Sequence, residues 1–182
     1  MPVRGINHAV LWVRDAAAST RFYTEVLGFT VVAESGEAPR KAVFLQAPES
    51  DNDHDLGLFG LGPQAAATRA GHGETGLYHL AWEVPTLADL RTVAERLADR
   101  GALVGAADHG TTKGVYAKDP DGLEFEVCWL VPPSLLDDTA PSTRGALDID
   151  AEIARYGATT EGACARLAPR QPAPADGASR AR

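Results

Sequence analysis

The chain has 182 residues, 45% of them hydrophobic and 23% charged, which is typical of one folded domain with a hydrophobic core. Its formal net charge of -8 disfavours nucleic acid and anionic membranes as partners. No apolar run approaches the roughly 20 residues that span a bilayer, and Cys128 and Cys164 lack the spacing of a redox or zinc motif. The sequence therefore predicts a cytoplasmic protein with reduced thiols, in which Cys128 packs within an apolar strand.

An internal repeat divides much of the chain into two modules with the same order of elements: one strand, one helix and three strands. Module one spans about 4–62. An apolar run at 5–13 predicts its first strand, Asp15 is placed to cap a helix over 16–27, and Gly28 ends that helix. Three short apolar runs predict the remaining strands, at 29–33, 41–47 and 55–61.

Module two spans about 76–132 and repeats this order. The run at 76–84 predicts its first strand, and Thr86 is placed to cap an amphipathic helix over 87–100 that Gly101 closes. The later strands are predicted at 102–106, 114–118 and 123–130, with a turn at Asp119–Gly122 between the last two. The segment 62–75, rich in glycine and alanine, is the linker between the modules.

The chain changes character after Pro132-Pro133, so residues 1–133 are predicted to form a single domain and 134–182 a C-terminal extension. A short helix that packs on the domain is predicted within 135–157. Residues 168–182 consist largely of proline, alanine, arginine and glycine, and they are predicted to be disordered.

Three residues suggest a metal site. His8 and His79 occupy equivalent positions in the first strands of the two modules, and Glu126 lies in an apolar strand where a free carboxylate would be costly to bury. Two imidazoles and one carboxylate suit Fe(II) or Mn(II) and leave coordination positions open. A lone strand histidine is more often a core residue, but the equivalence of these two favours ligands. Glu124 points to the same face as Glu126, and periodicity does not choose between them.

Several motifs resemble the vicinal oxygen chelate superfamily, which groups glyoxalases, bleomycin-resistance proteins and dioxygenases. The residues Phe22-Tyr23 and Leu27-Gly28-Phe29 match a common marker of its first helix, and the resemblance covers about 4–132. It implies an α+β fold in which paired βαβββ modules form an open, barrel-like sheet around a metal site.

The finer resemblance is to the type I extradiol ring-cleavage dioxygenases. It is carried by the segments His54–Phe59, Gly76–Val84 and Tyr116–Glu126. The last of these resembles a signature in which a tyrosine precedes the metal glutamate by ten positions, and it selects Glu126 as the ligand.

This resemblance implies Fe(II), with Mn(II) as an alternative, held by His8, His79 and Glu126. It implies that His54 is the acid/base, and that Tyr116 and His109 hold the substrate oxygen. The substrates would be a small aromatic diol and O2, the product a muconic semialdehyde, and the protein a homo-oligomer. Four aromatic residues are expected either to line the pocket or to pack in the core, namely Trp12, Phe44, Phe59 and Trp82.

Alternative functions stay open at this point. A metal-dependent lyase, isomerase or epimerase of the glyoxalase type usually adds a carboxylate ligand from the last strand of module one, but Leu56–Leu61 contains none. A metal-free protein that binds or sequesters a small molecule would not need the His-His-Glu set. A purely structural module fits poorly with so many polar groups at one site. Many extradiol enzymes hold two module pairs whereas this chain has one, so the ring substrate is left open.

Overall fold

The computed structural model describes residue 3 and residues 5–137 and 144–164. Within this part the elements, in chain order, are β1 (Ala9–Val13), α1 (Ala16–Leu27), β2 (Thr30–Ser35), β3 (Ala42–Gln46), β4 (Leu56–Gly60), β5 (His79–Glu83), α2 (Leu87–Asp99), β6 (Leu103–Asp108), β7 (Thr112–Lys118), β8 (Glu124–Leu130), a 3-10 turn (Pro133–Leu135), β9 (Gly145–Ala146) and α3 (Ile149–Tyr156). The predicted repeat of strand, helix and three strands is confirmed. None of the described helices has the length and apolar character needed to cross a bilayer. The segment 168–182 lies outside the described residues.

The two modules form separate, unclosed sheets with the same topology. The first has the strand order β1-β4-β3-β2, and the second has β5-β8-β7-β6 with β9 of the extension added at its edge. β1 runs parallel to β4 and β5 parallel to β8, while the other pairs are antiparallel. The predicted α+β fold of paired βαβββ modules is therefore confirmed.

The predicted helix caps act as expected. The Asp15 carboxylate accepts hydrogen bonds from the first turn of α1, and Gly28 ends that helix in the left-handed region with φ of 76°. The Thr86 hydroxyl accepts the backbone N–H of Asp89 at the start of α2. Gly101 lies just beyond the end of α2, with φ of 62°. These local contacts set where each helix begins and ends, and therefore which part of each sheet the helix can pack against.

One face of each sheet packs against the helices and forms the core. Along β1, Leu11 and Val13 are buried on this face, whereas the alternating Val10 and Trp12 are 50% and 64% exposed. We call the other side, turned away from the helices, the open face of each sheet. The core-facing side chains of module two include Phe125, Val127 and Trp129 of β8, so Glu124, Glu126 and Cys128 alternate onto its open face.

The core is shared between the modules. Phe22 and Leu27 of α1 pack against both core clusters. The ring of Phe22 lies 6.0 Å from that of Phe125, and the ring of Trp82 lies 5.1 Å from that of Phe29. Trp82 is partly buried and packs against both core clusters, which agrees with one of the two roles expected for it.

The extension is anchored on module two, and α3 is the short helix predicted within 135–157. Lys113 of β7 is fully buried, with its Nζ 2.5 Å from Oδ1 of Asp108 and 3.0 Å from Oε2 of Glu152 in α3. Nε1 of Trp129 donates to the carbonyl of Thr160 over 3.2 Å. The ion pairs of Lys113 were not predicted, because the sequence pattern does not indicate that α3 supplies a carboxylate to the sheet.

Candidate functional site

His79 and Glu126 meet on the open face of the second sheet. Nε2 of His79 lies 3.4 Å from Oε2 of Glu126, whose side chain is only 9% exposed. Two ligand atoms that each lie about 2.1 Å from one ion are about 3.0–3.5 Å apart, so this separation suits a shared metal. The other ring nitrogen of His79, Nδ1, is buried without a hydrogen-bond partner within the described ranges. The donor pair and the burial of the carboxylate therefore fit a divalent cation.

The structure separates Glu126 from Glu124, which the sequence pattern could not. Glu126 is buried and faces His79, whereas Glu124 is partly exposed at the start of β8. The negative charge of Glu124 and its hydrogen bond to Tyr78 raise the pKa of that tyrosine. Glu126 is thus the carboxylate placed to share an ion with His79.

Gly114 makes room for the Glu126 carboxylate, and sequence reasoning missed it. A Cβ at Gly114 would lie 2.3 Å from Oε1 of Glu126, and β7 places Gly114 opposite Cys128 in the next strand. A glycine inside a strand is a recognised sign of a close approach by a neighbouring group. Its position in the middle of β7 could therefore have indicated a functional contact.

Tyr116 and His109 lie beside this pair. Tyr116 is directly opposite Glu126 in the register of β7 and β8, and Nε2 of His109 is 2.8 Å from the Tyr116 hydroxyl. Burial, followed by the negative charge of Glu126 and a hydrogen bond to it, raises the pKa of Tyr116 to about 12. Tyr116 therefore keeps its proton at neutral pH and can donate a hydrogen bond.

His8 and His54 meet on the first sheet. Their ring centroids are 4.5 Å apart, and Nδ1 of His8 lies 2.7 Å from Oδ1 of Asn7. Nδ1 of His54 lies 3.2 Å from Oδ1 of the exposed Asp53, and the same oxygen accepts the backbone N–H of His54. The ring of Phe44 packs edge-on against His54 at 5.2 Å. These contacts leave Nε2 of both histidines as the atoms available for chemistry.

Aromatic side chains cover the open face of the first sheet next to these histidines. Phe59 packs against Trp12 at 5.7 Å and against Phe44 at 5.8 Å between ring centroids. Trp12 is 64% exposed. Three of the four aromatic residues expected at a pocket or in the core thus form one apolar surface outside the core.

The structure brings the predicted site residues together as two groups on different sheets. One group is His8 with His54, and the other is His79 and Glu126 with Tyr116 and His109. Across residues 5–137 and 144–164, no three His, Cys, Asp or Glu side chains come close enough to hold a metal ion. The three-ligand site of His8, His79 and Glu126 is therefore not assembled from one described chain and stays a prediction.

The registers also show where the repeat is broken. Val10 and Ala81 each follow the module's histidine by two residues, and they pair with Gly57 and Glu126 respectively. Gly57 therefore occupies the place in module one that Glu126 occupies in module two. In the same way, Phe44 opposite Gly57 occupies the place of Tyr116. Module one thus lacks the carboxylate that a fourth protein ligand would require.

Cys128 is a packing residue, as predicted. It is 5% exposed, and burial, together with the charges of Glu126 and Glu83, raises its pKa to about 12. A thiol with so high a pKa is a poor nucleophile and a poor metal ligand at neutral pH.

Comparisons with known proteins agree with this fold. The model of the Glyoxalase/Bleomycin resistance protein/Dioxygenase superfamily matches residues 5–127. Catechol-2,3-dioxygenase of Bacillus subtilis is 30% identical over 122 residues, which are 67% of this chain and 40% of that protein. Biphenyl-2,3-diol 1,2-dioxygenase 3 of Rhodococcus globerulus is 34% identical over 123 residues, which are 67% of this chain and 61% of that protein. The chain thus spans less than two thirds of either relative.

Solved structures share the fold. A glyoxylase/bleomycin resistance protein/dioxygenase domain from Frankia sp. EAN1pec superposes with a TM-score of 0.59 at 23% identity, covering 70% of this chain and 92% of that one. The fosfomycin resistance protein FosX from Listeria monocytogenes, complexed with Mn(II) and sulfate, gives a TM-score of 0.52 at 17% identity, covering 70% and 93%. At these identities the two likenesses describe the fold alone.

Proposed function

Because the chain belongs to the glyoxalase/bleomycin resistance protein/dioxygenase superfamily, whose model matches residues 5–127, we propose that it is a metal-dependent extradiol dioxygenase. Its substrate would be a catechol-type aromatic ring and its product a muconic semialdehyde. The observation that carries the proposal is the approach of His79 to Glu126 at 3.4 Å, directly beside the hydrogen bond between Tyr116 and His109. The two dioxygenase relatives support the same reaction class.

The proposed ligands are His79, Glu126 and, as the third, His8. Two imidazoles and one carboxylate suit Fe(II), with Mn(II) as an alternative, and they leave neighbouring positions open. The bound ion would supply the Lewis acidity and the electron transfer that join a diol to O2. Gly57 occupies the position at which module one would supply a carboxylate as the fourth ligand. This supports a three-ligand site with open positions and disfavours the four-ligand site of a glyoxalase-type lyase.

The side chains of this protein would then position the diol and move its protons. Tyr116 keeps its hydroxyl proton and would donate it in a hydrogen bond to a substrate oxygen, and His109 orients that hydroxyl from 2.8 Å. His54, whose Nδ1 lies 3.2 Å from Oδ1 of Asp53, would accept a substrate proton on Nε2 and return it later. The apolar surface of Trp12, Phe44 and Phe59 would cover the ring and exclude water.

The test is anaerobic reconstitution with Fe(II), followed by a panel of catechols in the presence of O2. We expect a yellow ring-fission product from at least one catechol. Glu126→Ala should lose the metal, because it removes a ligand. His54→Ala should keep the metal and lose turnover by about 10²–10⁴-fold, because it removes only the proton carrier. His72→Ala, in the exposed linker, is the control for loss of a histidine. It should change neither the metal content nor the turnover.

Two results would contradict the proposal and point elsewhere. Metal uptake without ring opening across the panel would favour a lyase or isomerase of this fold. Absence of metal uptake by the wild-type protein would favour a metal-free protein that binds a small molecule.

A further inference from the structure

The C-terminal extension reaches the candidate site at the edge of the second sheet. His109 lies in the loop that joins β6 to β7, and β9 of the extension pairs with β6 at this end, with Gly145 opposite Asp108. In module one the equivalent strand, β2, forms the edge of its sheet in the part of the chain that is described. The extension lies beyond residues 5–127, which the superfamily model matches. The added strand is therefore a feature of this chain, and it supports the one β-hairpin that carries a site histidine.

A side chain of the extension also binds the backbone of His109. Arg144, immediately before β9, donates from Nη1 to the carbonyl oxygen of His109 over 3.0 Å. The same carbonyl accepts the backbone N–H of Thr111, and the N–H of His109 donates to the carbonyl of Thr112, both over 2.9 Å. The backbone of His109 is thus held from within the loop and, through Arg144, from the extension.

The residue before His109 connects the loop to α3 through buried charges. Oδ1 of Asp108 accepts the backbone N–H of Gly110 over 2.7 Å, which closes the loop around His109. The same oxygen lies 2.5 Å from Nζ of Lys113, and that nitrogen lies 3.0 Å from Oε2 of Glu152 in α3. A buried ammonium between two carboxylates has no solvent to turn to, so the Asp108 carboxylate is held in one place.

We propose that the C-terminal extension positions His109 in the candidate site, and that Arg144 and Asp108 are the positioning residues through which it acts. Neither residue touches the proposed diol. Each holds the backbone around His109, whose Nε2 lies 2.8 Å from the Tyr116 hydroxyl, and a hydrogen bond of this length is lost when the ring moves by about 1 Å. The proposal rests on the proposed function, which assigns Tyr116 and His109 to the substrate oxygen.

The hydrogen bond between His109 and Tyr116 is measured without metal or substrate, from the ¹⁵N resonance of His109 Nε2. Tyr116→Phe removes the hydroxyl and gives the position of that resonance without the hydrogen bond. Arg144→Met and Asp108→Ala should each move the resonance toward this position. Asp108→Asn keeps an oxygen that can accept the Gly110 N–H, so it should keep the wild-type resonance.

The matched control removes the same charge elsewhere in the extension. Arg155→Met breaks the exposed ion pair with Asp137 and should leave the His109 resonance unchanged. A wild-type resonance in either Arg144→Met or Asp108→Ala would overturn the proposal. A shift in Arg155→Met as large as that in Arg144→Met would also overturn it, because the charge of the extension, and not the contact with His109, would then be the cause.

Kinetics test whether the two residues act through Tyr116. With a catechol that the wild type opens, Arg144→Met should lower kcat/KM by about 2–10-fold, the effect of one hydrogen bond. The same substitution in a Tyr116→Phe background should cause no further loss, because the hydroxyl that His109 orients is already absent. Losses that multiply in the double variant would overturn the proposal. A wild type that opens no catechol, with the His109 resonance shifting as expected, would refute only the proposed reaction.

Discussion

Gly114 lies directly against the carboxylate of Glu126: a Cβ at position 114 would be 2.3 Å from Oε1. We predict that Gly114→Ala displaces Glu126 and weakens metal binding by about 10–100-fold, the effect typical of changes that reorient a ligand. Gly145→Ala is the control, because a Cβ there meets nothing within 4 Å in β9 of the same sheet. Competition with a chelator measures both affinities. Equal affinities in the two variants would show that Glu126 does not need this space to bind the ion.

Tyr116 is predicted to act as a neutral hydrogen-bond donor. Its pKa of about 12, raised chiefly by burial, keeps the hydroxyl protonated throughout the range in which an enzyme is assayed. Tyr116→Phe should retain the metal and lower kcat/KM by about 10–100-fold, which corresponds to one hydrogen bond to a charged oxygen. Tyr156→Phe, on the other side of the sheet, controls for loss of a hydroxyl. An unchanged kcat/KM in Tyr116→Phe would show that the Tyr116 hydroxyl does not contribute to the reaction.

Lys113 is predicted to hold α3 on the second sheet. Burial would raise the pKa of Asp108, but hydrogen bonds from Lys113 and from the Gly110 amide outweigh it and lower that pKa. Lys113→Met leaves the Glu152 carboxylate without its cation, so we expect a loss of about 3–5 kcal/mol in the free energy of unfolding. Lys41→Met breaks the exposed pair with Glu34 and should cost about 0–1 kcal/mol.

Hydrogen exchange locates the effect of Lys113→Met. Amide exchange should accelerate across α3 (Ile149–Tyr156) more than across α1, because α3 supplies the stranded carboxylate. A variant that unfolds at the same denaturant concentration as Lys41→Met, with α3 still protected, would show that other contacts hold the extension.

Asp119 is predicted to make stability depend on pH. Burial is the main cause that raises its pKa, although it accepts backbone N–H groups of Asp121 and Leu123 at 2.9 Å. The folded state therefore binds a proton more tightly than the unfolded chain, whose carboxyl has a pKa of about 3.9. As pH rises above that value and through the raised folded pKa, the free energy of unfolding of the wild type should fall relative to that of Asp119→Asn.

Urea unfolding at a series of pH values from 4 to 7 measures this difference. Asp51→Asn, in an exposed loop, serves as the control and should track the wild type at every pH. The contrary result is a difference in the free energy of unfolding between the wild type and Asp119→Asn that stays constant, or changes in favour of the wild type, as pH rises. Such a result would show that ionisation of Asp119 does not destabilise the folded state.

The order and approximate positions of the elements could be predicted because they depend on neighbours in sequence, although β1 and β5 begin four and three residues later than predicted, at Ala9 and His79. Asp15 and Thr86 cap their helices through amides two or three residues away, and Gly28 ends α1 by its own conformation. The alternation of apolar residues likewise places Glu124 and Glu126 on one face. It cannot tell which of them is buried against His79, because that contact joins two strands far apart in the chain.

The arrangement of the site could not be predicted for the same reason. The repeat places His8 and His79 in equivalent strands, but it contains no information about how the two sheets are joined. That junction depends on particular long-range contacts, such as those of Tyr23 with Asp119 and of Phe22 with Phe125. The partner of Lys113 in α3 was missed likewise, because Glu152 lies 39 positions further along the chain.

The sharing of Phe22 and Leu27 between both core clusters has a consequence for folding. When denaturant unfolds one module, the apolar core of the other loses part of its packing. The two modules should therefore unfold together, although their sheets are separate. Heating should accordingly melt them in a single transition. A protease cut in the linker, for example at the exposed Arg69, should leave two fragments that remain associated until the whole core is lost.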